Sequence, residues 1–237
     1  TLPEVEVAGA RVGIACGYDD LDDYDDYDFD VNVIVYLSTY GYSMDDASSA
    51  LGPALVESRF VADARATRSW IVGVGSLGCY DAETFTGSSF VLAPWGEVAA
   101  QAPALEEALL VCDIDPASEG PLERPLVPEV FDRATSAWGA LSLGLAETCA
   151  QLGASDVALL LDGRLGSSVV AVLATDALGP THVHALIAPG LGPVASSAVR
   201  ELTRALRLDV RELPPTAAGD GDDELASDLS QARLAAL

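Results

Sequence analysis

The chain has 237 residues, enough to bury a sizeable core in one large or two small domains. Half of them are hydrophobic, which excludes a disordered polymer. Its formal charge is −25 and its 12 basic side chains are all arginines, so nucleic acid and anionic membranes are excluded as partners by repulsion, and the charge is read as solubility or a salt-rich habitat.

Arg11–Cys16 and Val31–Leu37 are β-branched, apolar runs of the kind that form buried strands. Between them, Asp19 to Asp30 interleaves eight aspartates with Tyr24, Tyr27 and Phe29. Like charges at that density predict a solvated loop. Clustered carboxylates also suit a hard cation, but the glycine and terminal glutamate of an EF-hand loop are missing. Ala54 to Arg68 has helical apolar spacing with arginines on its other faces, predicting an amphipathic helix. Ser69–Gly75, Ser89–Ala93 and Ala108–Ile114 read as strands, the last two flanking a Pro94-Trp95-Gly96 turn.

Pro116 to Pro128, with four prolines and a glycine, reads as a linker. After it come a helix over about 129–152, the strand Val157–Leu161, a helix after Ser167 and the strand Val183–Ala188. A helix over about 195–206, a short strand near Val210, a Gly/Asp-rich loop over 217–224 and a last helix follow. Such alternation implies a parallel sheet wound with helices.

Cys16, Cys79, Cys112 and Cys149 share no metal-ligand spacing, so they are expected to be reduced, mostly buried thiols, and no zinc site is expected. With no basic-then-apolar leader and no bilayer-length apolar run, a cytoplasmic location is expected. His182 and His184 sit at alternate positions entering a strand, hence on one face; with no accompanying carboxylate pattern, packing or capping is the expected role.

The stretch from Leu159 to Ser168 carries the most information: an apolar strand, a tight turn, then an Ala/Val-rich helix. Strand, glycine turn and helix N-terminus together make an anion site, because free N–H groups and the helix dipole point outward at the turn. Here Asp162 opens the turn and Arg164 stands where a small residue is needed. Gly190-Leu191-Gly192-Pro193 follows the next strand, at the end where wound sheets bind ligands.

Several segments together resemble the glutamine-dependent NAD synthetases, in which a nitrilase-type glutaminase domain precedes an ATP-using synthetase domain. Val12-Gly13-Ile14-Ala15-Cys16-Gly17-Tyr18-Asp19 is similar to the nitrilase nucleophile segment Val-Gly-x-x-Ile-Cys-x-Asp. The run from Gly78 to Ser89 resembles Gly-Gly-x-Asp-x-x-x-Phe-x-Gly-x-Ser. Ala102-Pro103-Ala104-Leu105-Glu106-Glu107 also fits. Asp162 to Ser167 stands at the pyrophosphate loop Ser-Gly-Gly-x-Asp-Ser, Asp176 to Pro180 matches the segment after the next helix, and Ser230-Gln231-Ala232-Arg233 resembles Asn-x-Gln-Ala-Arg. The resemblance implies an α/β chain: a partial nitrilase-like α-β-β-α sandwich over 1–117, a linker over 118–128, and a partial Rossmann-like (adenine nucleotide alpha hydrolase-like) parallel sheet over 129–237.

It also implies which groups are missing. The nitrilase reaction uses a cysteine nucleophile, a glutamate base and a lysine that stabilises the oxyanion. Gly17 stands at the nucleophile's place, Cys16 lies one step earlier on the opposite strand face, and the chain contains no lysine. Cys16 is expected to be a core thiol, and only a separate subunit would complete a glutaminase. In the nucleotide loop, Asp162 replaces the first serine, Arg164 the second glycine and Gly166 the aspartate that helps place magnesium; only Gly163 and Ser167 match. Asp162 is expected to act as a helix N-cap.

These departures lead us to expect a catalytically silent relative, shortened at both ends, with a structural or regulatory role. It would act as a homo-oligomer or bind an active NAD synthetase, with no catalytic residue, metal or cofactor of its own. The alternative is glutamine-hydrolysing, ATP-dependent NAD synthesis completed by a partner chain, which would use ATP and magnesium; a third possibility is a fragment without independent function.

Overall fold

A computed structural model of the protein describes residues 3–17, 20, 24, 30–38, 59–80, 83–127 and 133–214. Most of the acidic stretch 19–30, the start of the 54–68 helix, the 217–224 loop and the last helix therefore lie outside the described residues. The chain divides into two compact units, Thr1–Gly144 and Leu145–Leu237.

The first unit is built on a six-stranded mixed sheet. Its strands are β1 (Glu4–Val7), β2 (Ala10–Cys16), β3 (Val33–Ser38), β4 (Trp70–Gly75), β7 (Phe90–Leu92) and β8 (Val98–Gln101), in the order β1-β2-β3-β4-β7-β8. β2, β3 and β4 run parallel, while β1, β7 and β8 are antiparallel to their neighbours. A separate hairpin pairs β5 (Leu77–Tyr80) with β6 (Glu83–Thr86).

The sheet is apolar on both faces, as its β-branched runs demand. On one face Ala15, Ile34, Tyr36, Ile71, Phe90 and Leu92 pack under Phe60, Val61 and Ala64 of α1 (Arg59–Thr67). Close packing excludes side chains at two points. A Cβ on Gly13 would enter the Tyr24 ring, and one on Gly73 would enter the Phe90 ring. On the other face, Val33, Trp70, Val91 and Ala93 are covered by Trp95, Leu110, Cys112, Ile114 and Leu122. That cover stops short. Val5, Val7, Leu37 and Val74 on the same face remain 49%, 56%, 38% and 43% exposed.

Two sequence expectations need correction in this unit. Residues 108–114 form no strand: their alternate side chains reach the core, but among the described residues their backbone pairs with none. The Pro94-Trp95-Gly96 turn joins β7 to β8, with Gly96 N–H donating to the Ala93 carbonyl at 2.8 Å. The mixed sheet agrees with the nitrilase-like α/β expectation for this half, and its tight turns at β1–β2 and β7–β8 can join only antiparallel neighbours. In the stretch read as a linker, Leu126 N–H bonds the Val98 carbonyl and Leu122 N–H the Glu97 carboxylate, both at 2.8 Å. That hydrogen bond, and then one from the Trp95 indole, lower the Glu97 pKa.

The division between units falls inside α2 (Arg133–Leu152). The second unit is a three-stranded parallel sheet in the order β11-β10-β9: β9 (Val157–Leu161), β10 (Val183–Ile187) and β11 (Asp209–Glu212). α3 (Leu165–Leu178) and α4 (Pro193–Leu206) are the crossovers. Leu161, Ala171, Ala174, Val183, Ala185 and Val199 form its core. Small residues on α3 let the helix sit close to the sheet. Arg207 closes α4 in the left-handed conformation at φ +59°.

Candidate functional site

β9 and β10 end side by side, each passing through a short loop into a helix, which is where a wound sheet opens a crevice. After β9 the chain turns at Asp162-Gly163-Arg164. Gly163 takes φ +76°, and a Cβ there would sit 2.7 Å from the Ala195 Cβ on α4. Glycine is required by both conformation and space. After β10, Gly190 at φ +76° turns the chain, and Gly192 and Pro193 start α4 as N-cap and first residue.

Asp162 governs this turn, but it is not the N-cap. That position is Arg164, whose side chain makes no capping bond. Asp162 lies two residues earlier and reaches back over the turn. Its Oδ1 accepts the Ser167 hydroxyl at 2.6 Å and the Arg164 N–H at 3.0 Å. The second contact is an aspartate turn, the local bond that short carboxylates make two residues on. Arg164 Nε lies 3.6 Å from Oδ2. The Ser167 hydroxyl, followed by the Arg164 N–H and then the guanidinium, holds the Asp162 carboxyl below the usual aspartate range. Ser167 and Ser168 also return to the Arg164 carbonyl at 3.0 Å. At Gly166 an added Cβ meets nothing within 4 Å, so no steric demand keeps a glycine there.

In the first unit, Cys16 and Gly17 stand at the carboxyl end of β2. Cys16 is exposed, which corrects the expectation of a core thiol: Ala15 takes the inward position, so alternation turns Cys16 the other way. Its backbone N–H donates to Asp20 Oδ2 at 2.7 Å. Gly17 has φ +94° and open space where a Cβ would be. All four cysteines are free thiols. Only Cys149 is buried, so the expectation of mostly buried thiols is also corrected. The Cys112 pKa is raised by burial and then by Asp113.

His182 and His184 do share a face, and carboxylates accompany them, contrary to the expectation from sequence. His182 Nδ1 and His184 Nε2 lie 3.5 and 3.3 Å from Asp156 Oδ1, and His184 Nδ1 lies 3.3 Å from Asp209 Oδ2. Hydrogen bonds from Ser155 and then His184 lower the Asp156 pKa. Register explains the grouping, since His184 pairs with Asp209 across β10 and β11 while Asp156 immediately precedes β9. Among the described residues no group of His, Cys, Asp and Glu is arranged to hold a metal ion, and no helix is long and apolar enough to cross a membrane.

Residues 28–124 match the carbon-nitrogen hydrolase family. No curated protein matches the chain. Among solved structures, a glutamine-dependent NAD+ synthetase from Acinetobacter baumannii, in complex with ADP, superposes with a TM-score of 0.74 at 18% identity, over 98% of this chain and 42% of that one. A glutamine-dependent NAD(+) synthetase from Cytophaga hutchinsonii gives a TM-score of 0.65 at 12% identity, over 90% of this chain and 40% of its own. The chain thus spans about two-fifths of the length of each. Its first unit carries the carbon-nitrogen hydrolase match, and its fold is that of the glutamine-dependent NAD synthetases.

Proposed function

We propose that the chain is a catalytically silent homologue of glutamine-dependent NAD synthetase, retained for a structural or regulatory role in association with other subunits. The observation that carries this reading is the Asp162 carboxylate seated in the turn. A bound phosphate needs the donors that such a turn offers, namely backbone N–H, hydroxyl and guanidinium groups. At this turn the Arg164 N–H, the Ser167 hydroxyl and the Arg164 guanidinium all face Asp162. An anion built into the chain occupies them, and a nucleotide phosphate would have to displace it against like charge. Gly166 supplies no carboxylate for magnesium, and Gly17 no thiolate for acyl transfer.

Calorimetry of the full chain with Mg-ATP tests the reading. The expected result is no heat of binding up to millimolar nucleotide, and magnesium-dependent binding at micromolar concentration would overturn it. The Asp162→Ser variant frees the donors and is expected to gain binding to inorganic pyrophosphate.

A second reading is that a partner chain completes the glutaminase and the ATP-dependent ligase. It is favoured by the open half of the sheet face at Val5, Val7, Leu37 and Val74, since exposed apolar patches of this kind mark association surfaces. Co-purification with an authentic synthetase, followed by a glutamine hydrolysis assay, separates the two. Turnover that rises with added chain supports completion, and turnover that stays level or falls supports the silent role.

A further inference from the structure

Residues 106–114 cross the first unit as an extended strap. Leu110, Cys112 and Ile114 are half-buried against Val33, Trp70 and Val91, while Leu109 and Val111 point away and are 91% and 81% exposed. This is the alternation of a strand. Yet among the described residues no backbone N–H or carbonyl between Glu106 and Ile114 is bonded to another backbone group. Where the strap begins, it forms one wall of a cavity of about 520 Å³, lined also by Gly87, Ser88, Ser89 and Leu77. Ser88 is 2% exposed, its Oγ has no hydrogen-bond partner, and its backbone is held at φ +56°. A buried hydroxyl left unpaired in a strained conformation requires a reason. The cavity wall also includes Glu106 and Glu107, and among the described residues no basic side chain lines it.

We propose that the strap and cavity receive an extended segment of a partner polypeptide. The segment adds as a strand along the backbone of 108–113 and places a basic side chain beside Glu106 and Glu107. Strand addition satisfies the idle backbone groups and covers Leu109 and Val111. Charge chooses the partner. A second copy, paired antiparallel about Val111, would set Glu107 opposite Asp115, and both copies carry −25. A segment with basic ends meets Glu106 and Glu107 at one end and Asp113 and Asp115 at the other. The inference is independent of the nucleotide reading, because every residue it uses lies in the first unit.

The test is a titration of the full chain with an acetylated, amidated heptapeptide of alternating threonine and valine with an arginine at each end. Because backbone bonds carry strand addition, methylating one alternate set of peptide amides is expected to abolish binding, while methylating the other set leaves it unchanged. Glu106→Gln with Glu107→Gln is expected to weaken binding about tenfold and flatten its salt dependence. Three results would overturn the proposal: no binding at millimolar peptide, equal effects of the two methylated sets, or a dimer of the chain alone that Val111→Arg dissociates.

Discussion

Substituting Gly163 by alanine separates a glycine kept for the fold from one kept for a phosphate. Two structural costs add at this position. The backbone sits at φ +76°, where an L-residue is disfavoured by about 1–2 kcal/mol. The new methyl would also stand 2.7 Å from the Ala195 Cβ, and forcing a carbon into a filled space costs about 1–3 kcal/mol. The far atom belongs to α4, so relief requires moving a helix. The expected loss is about 2–5 kcal/mol with no ligand present. With a urea slope of about 2 kcal/mol per molar, that lowers the unfolding midpoint by about 1–2.5 M. Gly166→Ala is the internal control. It lies in the first turn of α3 with open space around it, and replacing a helical glycine there gains about 0.5–1 kcal/mol. Urea unfolding followed by far-UV circular dichroism, with hydrogen exchange of β9 to assign the transition to the second unit, reads both variants. A Gly163→Ala protein within about 0.5 kcal/mol of the parent would refute the reasoning, since neither cost would then be borne by the turn.

Other outcomes follow from the same geometry. Asp162 and Asp156 both have lowered folded pKa values, so their bonds contribute fully above the unfolded aspartate value and are lost as pH falls through the folded values. Carbon-13 titration of the carboxyls should show both midpoints below about 3.9, with Asp162→Asn erasing one of them. Cys16 should react first with a thiol reagent at pH 8, Cys112 slowly because burial and Asp113 suppress its thiolate, and Cys149 only on unfolding; Cys16→Ser should remove the fast phase alone. Gly75→Ala should destabilise the first unit, because its Cβ would meet the Gly87 carbonyl and displace the chain leading into β7. Ser88→Ala should raise the stability of the free chain by about 1 kcal/mol, as it deletes a buried hydroxyl that has no partner.

The legible part of the fold is the part buried on both sides. β2, β3, β4, β9 and β10 are runs such as Val33–Leu37 and Val157–Leu161, whose composition alone excludes a solvated helix face. β1 is not read from the sequence: Glu4-Val5-Glu6-Val7 alternates, but four exposed residues are short to weigh without a partner. The strap shows the opposite limit. Its alternation over 108–114 is real and its inward residues are those the pattern indicates, but periodicity reports side-chain direction and not backbone pairing. The histidine cluster was beyond reach because Asp156, His184 and Asp209 are joined by register across three strands, which no local spacing encodes.

Under the proposed silent role, the two turns differ in what the chain places beside them. Gly17 takes φ +94° with open space around it, and Gly163 takes φ +76° against Ala195. In that reading the family's thiol has no counterpart at residue 17 and its carboxylate none at residue 166, while Asp162 is bonded into its own turn's donors. A lost group leaves a vacancy that a partner or a ligand can fill, whereas an added carboxylate bonded in place opposes any incoming anion. Asp162 therefore weighs more heavily for silence than Gly17 or Gly166. Restoring Gly17→Cys and Gly166→Asp together, with Asp162 left in place, should leave nucleotide binding absent, and it is the further change Asp162→Ser that should decide whether the turn can hold a phosphate.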